Sequence, residues 1–251
     1  MKAIREEISS VSAMRCLVAM LAVALSGCSR APEITRFHAR PAAPTVAIQS
    51  GEHPLRLGLL RDGLLYVPKT VASRSSLPLF VMLHFGGGRA RDMRFTFPVA
   101  DALGVAVLAP DARDNTWDGI DNRIGPDVRF IDEALRYTFE RVAVDPKRVA
   151  FAGTSDGASY ALSLGLANGD LFTHLVAFSP GSIFTAAPPI GRPLIFMSHG
   201  TRDHTLPIGL TSRRLVPRLR GAGYDVTYLE FDGGHAVPIP VLRNALEWLV
   251  R

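Results

Sequence analysis

The chain has 251 residues, 47% of them hydrophobic and 20% charged, a balance that suits one globular domain with a substantial core and excludes a disordered or fibrous chain. The formal charge is +5, but the basic residues are scattered, and the clusters Arg89/Arg91/Arg94 and Arg213/Arg214 fall in expected helices. The charge therefore reads as a solvated positive surface, and no nucleic-acid partner is expected. The two cysteines, Cys16 and Cys28, both lie near the start, so the rest of the chain has no disulfide, thiol nucleophile or cysteine-based metal site.

At the N-terminus, Met14-Arg15 opens a short charged region and Cys16 to Leu25 is an apolar run of the length expected of a signal-peptide core. That run is too short to span a bilayer comfortably. Leu25-Ser26-Gly27-Cys28 follows, and this tetrapeptide resembles the lipobox of bacterial lipoproteins, in which the cysteine is lipidated and becomes the new N-terminus. The resulting division is a lipoprotein signal peptide over 1–27, a tether over 28–50 containing Pro32, Pro41 and Pro44, and a folded domain over 51–251. An ordinary secretory signal ending near Ala31 is the alternative, and translation from either Met1 or Met14 fits the pattern. Ser29 after the cysteine resembles the sorting position of lipoproteins sent to the outer membrane of a Gram-negative envelope.

From about Leu55 onward, short apolar runs alternate with helical patterns, the signature of βα units around a mostly parallel sheet. Leu57 to Leu60 and Leu64 to Val67, separated by Arg61-Asp62-Gly63, predict an antiparallel hairpin. Further strands are expected at Leu79 to Phe85, Val105 to Ala109, Val149 to Ala152, Leu175 to Phe178, Leu194 to Ser198 and Val226 to Phe231, about eight in all. Val128 to Val142 carries apolar residues at helical spacing, with Asp132, Glu133, Arg136 and Glu140 free to face water. Asp156 to Ala167, Leu206 to Arg220 and Val237 to Val250 are the other expected helices, the last two with uncertain limits because of Pro207, Pro217, Pro238 and Pro240.

In open α/β sheets the chemistry gathers at the carboxyl ends of strands. There, Gly153-Thr154-Ser155-Asp156-Gly157 lies where the apolar strand Val149 to Ala152 meets a helix, the context of a nucleophile elbow. Small flanking residues let the turn close, and the helix start offers the Asp156 N–H to a developing oxyanion. A serine hydroxyl is a weak nucleophile that needs a base and an acid to orient that base. His199-Gly200-Thr201-Arg202-Asp203 follows one later strand and Asp232-Gly233-Gly234-His235 the next, so Ser155, Asp203 and His235 read as nucleophile, acid and base in the chain order Ser, Asp, His. Asp232 is the rival acid, but its Asp-Gly-Gly setting reads first as a turn. His199, Asp203 and His204 also admit a metal-ligand reading, against which no complementary cluster appears, and no phosphate loop or dinucleotide fingerprint is evident. No metal or cofactor is expected.

From about Leu79 to the C-terminus, the sequence resembles the esterases of the α/β-hydrolase superfamily related to polyhydroxyalkanoate depolymerases, feruloyl esterases and small carboxylesterases. The resemblance rests on Leu83-His84-Phe85-Gly86-Gly87, Gly153-Thr154-Ser155-Asp156-Gly157-Ala158, His199-Gly200-Thr201-Arg202-Asp203 and Gly233-Gly234-His235. It implies an α/β-hydrolase fold and gives Ser155, Asp203 and His235 the roles already read from their chemistry. Such esterases usually have His-Gly after the third strand, and here Phe85 takes the glycine position. Gly86 is the expected second oxyanion donor, with Phe85 and Gly87 as alternatives, and His84 is expected to be a structural loop residue.

Ser179 to Pro193 is too short for a cap domain, so an open cleft taking small-molecule or polymeric esters is expected. Trp117, in the loop after Val105 to Ala109, is expected either at the cleft mouth as an aromatic substrate platform or in packing. The expected activity is ester hydrolysis through an acyl-enzyme, by a monomer attached to the cell-envelope membrane through lipid on Cys28. An amidase, peptidase or acyltransferase using the same triad, and a noncatalytic envelope binding lipoprotein, are the rival readings.

Overall fold

The computed structural model describes residues 35–58, 60–69, 75–121 and 123–251. The expected signal peptide, Met14 and the lipobox cysteine Cys28 lie outside the described residues. Among the described residues eight strands form one sheet: β1 (Gly51–Pro54), β2 (Gly63–Val67), β3 (Leu77–Leu83), β4 (Ala106–Pro110), β5 (Val144–Thr154), β6 (His174–Phe178), β7 (Leu194–Gly200) and β8 (Val226–Phe231). Their spatial order is β1-β2-β4-β3-β5-β6-β7-β8. The pairs β1/β2 and β2/β4 are antiparallel, while β4, β3, β5, β6, β7 and β8 run parallel.

The inner strands β3, β4 and β6 are nearly continuous apolar runs, buried along their length, because both faces of the sheet are covered there. Successive side chains point to opposite faces, and two cores result. Leu79, Val81 and Leu83 of β3 join Phe151 of β5 in the core under α2 (Pro126–Phe139), α3 (Asp156–Ala167) and α4 (Ser212–Gly221). Phe80 and Met82 point the other way, with Ala150 and Ala152, against α1 (Phe97–Leu103) and α5 (Ile239–Val250). A 3₁₀ helix, Ala90–Thr96, leads into α1.

Three departures from the sequence reading have local causes. Among the described residues of the expected strand Leu57 to Leu60 no strand forms, and β1 lies earlier, at Gly51–Pro54. The Asp62 carboxylate accepts the N–H groups of Arg56, Leu57 and Gly58, which turns this apolar segment into a loop instead of a ladder. The helix expected from Leu206 begins only at Ser212, because Pro207 and Ile208 start a pair of turns closed by Leu210 N–H to Pro207 O and Thr211 N–H to Ile208 O.

The third departure concerns the expected tether. Its described part, 35–50, belongs to the same compact unit as the sheet and helices, which extends from Ile34 to Arg251. Phe37 is 1% exposed and lies edge-on to Phe151 and Phe172, with ring centroids 5.7 and 5.3 Å away. Its N–H donates to Asn168 Oδ1, and the N–H groups of His38 and Ala39 donate to Asp132 Oδ1. Arg36 and Arg40 both reach Asp170 Oδ2, at 2.9 and 2.6 Å. Asp132, expected to face water on α2, is therefore buried as the acceptor that docks this strap. Among the described residues no helix is long and apolar enough to cross a membrane.

Candidate active site

The strand order reverses direction between β3, which leads outward to β4, and β5, which leads to β6. At such a switch point the loops after the two strands diverge and open a crevice at their carboxyl ends. The loop after β3 carries His84 to Gly88, and the turn after β5 carries Ser155.

Ser155 has φ 56° and ψ −119° between β5 and α3, the strained conformation that projects a nucleophile from a strand-to-helix turn. Close backbone approach selects both flanking glycines. A Cβ on Gly153 would strike the Gly157 backbone, and a Cβ on Gly157 would strike the carbonyl of His84. The Ser155 N–H is tied to Phe178 O of β6 at 2.9 Å, and its carbonyl accepts from Ala158 and Ser159 in the first turn of α3. Asp156 N–H stands at the head of α3, where the first amides have no intrahelical acceptor and the helix dipole favours negative charge.

Asp203 and His235 come from the loops after β7 and β8. Asp203 Oδ2 lies 2.6 Å from His235 Nδ1, with the carboxylate fully buried and the imidazole 22% exposed. Asp203 Oδ1 accepts the N–H groups of Thr205 and Leu206, each at 2.9 Å. Burial alone would raise the Asp203 pKa, but the Leu206 amide, His235 and the Thr205 amide outweigh it and hold the carboxyl below its usual value. Asp232 points away, 78% exposed and paired with Arg202 at 3.0 Å. The geometry thus joins Asp203, and not Asp232, to His235.

Ser155 and His235 line one cavity of about 620 Å³, walled by Phe85, Met93, Phe95, Leu206 and Val237. Among the described residues the hydrogen bond of the His235 ring is to Asp203, and Ser155 Oγ is not bonded to it. On the opposite wall, Gly87 N–H is already taken by Asn115 O at 2.7 Å, which removes Gly87 as an oxyanion donor. The N–H groups of Phe85 and Gly86 have no such partner among the described residues. Gly86 also has a steric reason to be glycine, since a Cβ there would strike the Asp156 carboxylate, itself bonded to Thr116 Oγ at 2.7 Å.

Trp117 is not at the cleft mouth. It is 0% exposed and its Nε1–H donates to His84 O at 2.8 Å. Its ring packs between His84 and Tyr160, with centroids 4.7 and 5.4 Å away, so it props the loop after β3 from beneath. His84 completes that brace: Ala112 N–H donates to its Nε2, so its Nδ1–H donates to Phe85 O. Burial pushes the His84 pKa down and keeps the ring neutral.

One residue beside the Asp203–His235 pair, read from the sequence only as a metal-ligand candidate with Asp203 and His204, takes a different place. His199, 0% exposed at the end of β7, places Nε2 3.1 Å from Asp203 Oδ2 and 2.8 Å from Leu206 O, while Nδ1 lies 2.7 Å from Ser212 Oγ. Both nitrogens are engaged within the protein. Among the described residues no group of three His, Cys, Asp or Glu is placed to hold a metal ion. The signal available in the sequence was His199 four residues before the acid, on a strand end.

No family model matches the chain. It is 32% identical over 155 residues to an acetylxylan esterase of Coprinopsis cinerea, an alignment covering 57% of this chain and 38% of that protein; the match spans under two fifths of the fungal enzyme. Among solved structures it resembles a thermostable esterase, with 24% identity, TM-score 0.63, and 76% of this chain and 59% of that one covered. An S-formylglutathione hydrolase from Staphylococcus aureus superposes with TM-score 0.62 at 15% identity, over 82% of this chain and 100% of that one. A ferulic acid esterase from Anaeromyces mucronatus superposes with TM-score 0.59 at 14% identity, over 79% and 89% respectively. These likenesses and the sheet topology show the α/β-hydrolase fold.

Proposed function

We propose that this chain is a serine esterase that cleaves carboxylic esters through an acyl-enzyme on Ser155. The observation that carries the reading is the 2.6 Å pair of Asp203 and His235, opening with the strained Ser155 onto one apolar-walled cavity. His235 Nε2 takes the Ser155 proton as Oγ attacks the ester carbonyl. The oxyanion is held by Asp156 N–H and by the Gly86 or Phe85 N–H, and the alcohol leaves with the proton returned by His235. Water, deprotonated by His235, then attacks the acyl carbonyl, the bond to Ser155 Oγ breaks as His235 returns the proton to Oγ, and the acid leaves. Asp203 keeps the imidazole in the Nδ1–H tautomer and stabilises the imidazolium.

The nucleophile, the base, the acid and the oxyanion donors of this cycle are all residues of the chain. The named acetylxylan esterase relative and the esterase neighbours support an ester as substrate, and a cavity of this size suits a small acyl or alcohol group, whether free or at the end of a polymer. Turnover of a series of neutral esters is expected to fall by about 10⁴-fold or more in Ser155→Ala, with the fold unchanged by circular dichroism. Retained turnover in that variant would refute the assignment, and faster cleavage of matched amides than of esters would move the activity to an amidase or peptidase.

The same reading places the domain, as a monomer, on a bacterial envelope membrane through lipid on Cys28, supported by the apolar run Cys16 to Leu25 and the Leu-Ser-Gly-Cys sequence. Labelled palmitate should enter the wild-type protein and not Cys28→Ala; label persisting in the variant would rule out this anchor.

A further inference from the structure

We propose that His199 is a positioning residue for the acid–base pair, acting with Ser212 as a fixed-tautomer brace on Asp203. The inference rests on the triad reading above for its kinetic consequence, and on geometry alone for its structural one.

The tautomer follows from the partners. His199 Nε2 faces two acceptors, Leu206 O at 2.8 Å and Asp203 Oδ2 at 3.1 Å. A lone pair there would be repelled by both, so Nε2 carries the proton. Nδ1 is then an acceptor, and the Ser212 hydroxyl, buried at the start of α4, donates to it at 2.7 Å. Burial pushes the His199 pKa below its usual value, with Asp203 opposing and His235 reinforcing the shift. The charged or titratable neighbours are Asp203, His235 and, paired across β7/β8, Glu230, whose charge is engaged by Arg213. The imidazole therefore stays neutral and presents a dipole with its positive end toward Asp203.

The arrangement divides the work on Asp203. Oδ1 is fixed by the Thr205 and Leu206 amides, while Oδ2 is shared between His235 and the close approach of His199 Nε2–H. Leu206 links the two halves, since its N–H bonds Asp203 and its carbonyl receives His199; it also lines the cavity. Without His199, the carboxylate keeps its two amides, but the loop 203–206 loses the group that closes it and Oδ2 is free to leave the line to His235.

The test compares the wild type with His199→Phe, His199→Gln and Ser212→Ala. Phe keeps a planar ring and removes both nitrogens; Gln restores an N–H at the same reach from Cβ. The substrate-independent readout is the low-field NMR resonance of the His235 Nδ1 proton shared with Asp203. It is expected to broaden in His199→Phe and to persist in His199→Gln. Kinetically, His199→Phe should lower kcat about tenfold or more, equivalent to about 1.4 kcal/mol, with KM nearly unchanged and most of the loss restored by Gln. If His199→Phe does not fold, Ser212→Ala decides, with a weaker resonance and a severalfold loss in kcat expected. A sharp wild-type resonance in the folded Phe variant, a loss that Gln does not restore, or a wild-type resonance in Ser212→Ala where Phe misfolds would overturn the proposal. Because the resonance is read without substrate, these outcomes stay separate from a failure of the esterase reading, which would show as a wild type that hydrolyses no ester.

Discussion

Two aspartates compete for one histidine, and burial decides between them. Asp203 is sealed from solvent, takes two amides on one oxygen and turns the other to His235, so its charge acts in a medium of low dielectric with its geometry set. Asp232 lies three residues from His235 in sequence but spends its charge on an exposed pair with Arg202, an interaction worth little. Asp203→Asn should therefore reduce kcat by about 10⁴-fold, as loss of the tautomer-fixing acid does in such triads, and Asp232→Asn should leave ester turnover within about twofold. A large loss confined to Asp232→Asn would reverse the assignment. That Ser155, Asp203 and His235 would be brought to one place was legible because each sits at a strand end in a motif whose chemistry suits that residue type. The roles of Trp117 and His199 were not, since an indole suits a platform or a core equally well and a histidine's partners depend on which strands become neighbours. Trp117 resolves to packing against His84 and Tyr160.

At the scale of elements, α3 was legible to the residue because its long apolar run is bounded by polar residues, and β8 likewise because its short β-branched and aromatic run is bounded by polar and glycine turns. Two of the misreadings share one cause: a side-chain oxygen from outside the segment takes its backbone amides. Asp62 does this to 56–58, and Asp132 and Asn168 do it to 37–39. Periodicity marks Asp132 only as polar and so assigns it to water. The strap it holds contributes to stability directly, since Phe37 is buried edge-on against the stacked rings of Phe151 and Phe172. Phe37→Ala is expected to destabilise the domain by about 3–5 kcal/mol in urea unfolding, with no effect on the cavity's own lining. A domain beginning at residue 51 should lose at least as much. Unchanged unfolding midpoints for both would show that residues 35–50 add nothing to the core.

For the whole molecule, the strand order explains why the chemistry gathers in one place. The reversal between β3 and β5 opens the crevice; β3 delivers the loop with Phe85 and Gly86, β5 the elbow with Ser155, and β7 and β8 the Asp203–His235 pair, all at the same ends of parallel strands. The alternation of strands and helices made the fold class readable, while the meeting of four loops was inferred only from the rule that strand ends carry the site. The central claim is that this meeting activates Ser155. Its most direct test is to treat the folded protein with a fluorophosphonate and map the modified peptide by mass spectrometry, with Ser155→Ala in parallel. Label on Ser155 alone, absent from the variant, is the predicted result; a well-folded wild type that takes no label, or takes it at another serine with Ser155 untouched, would contradict the account.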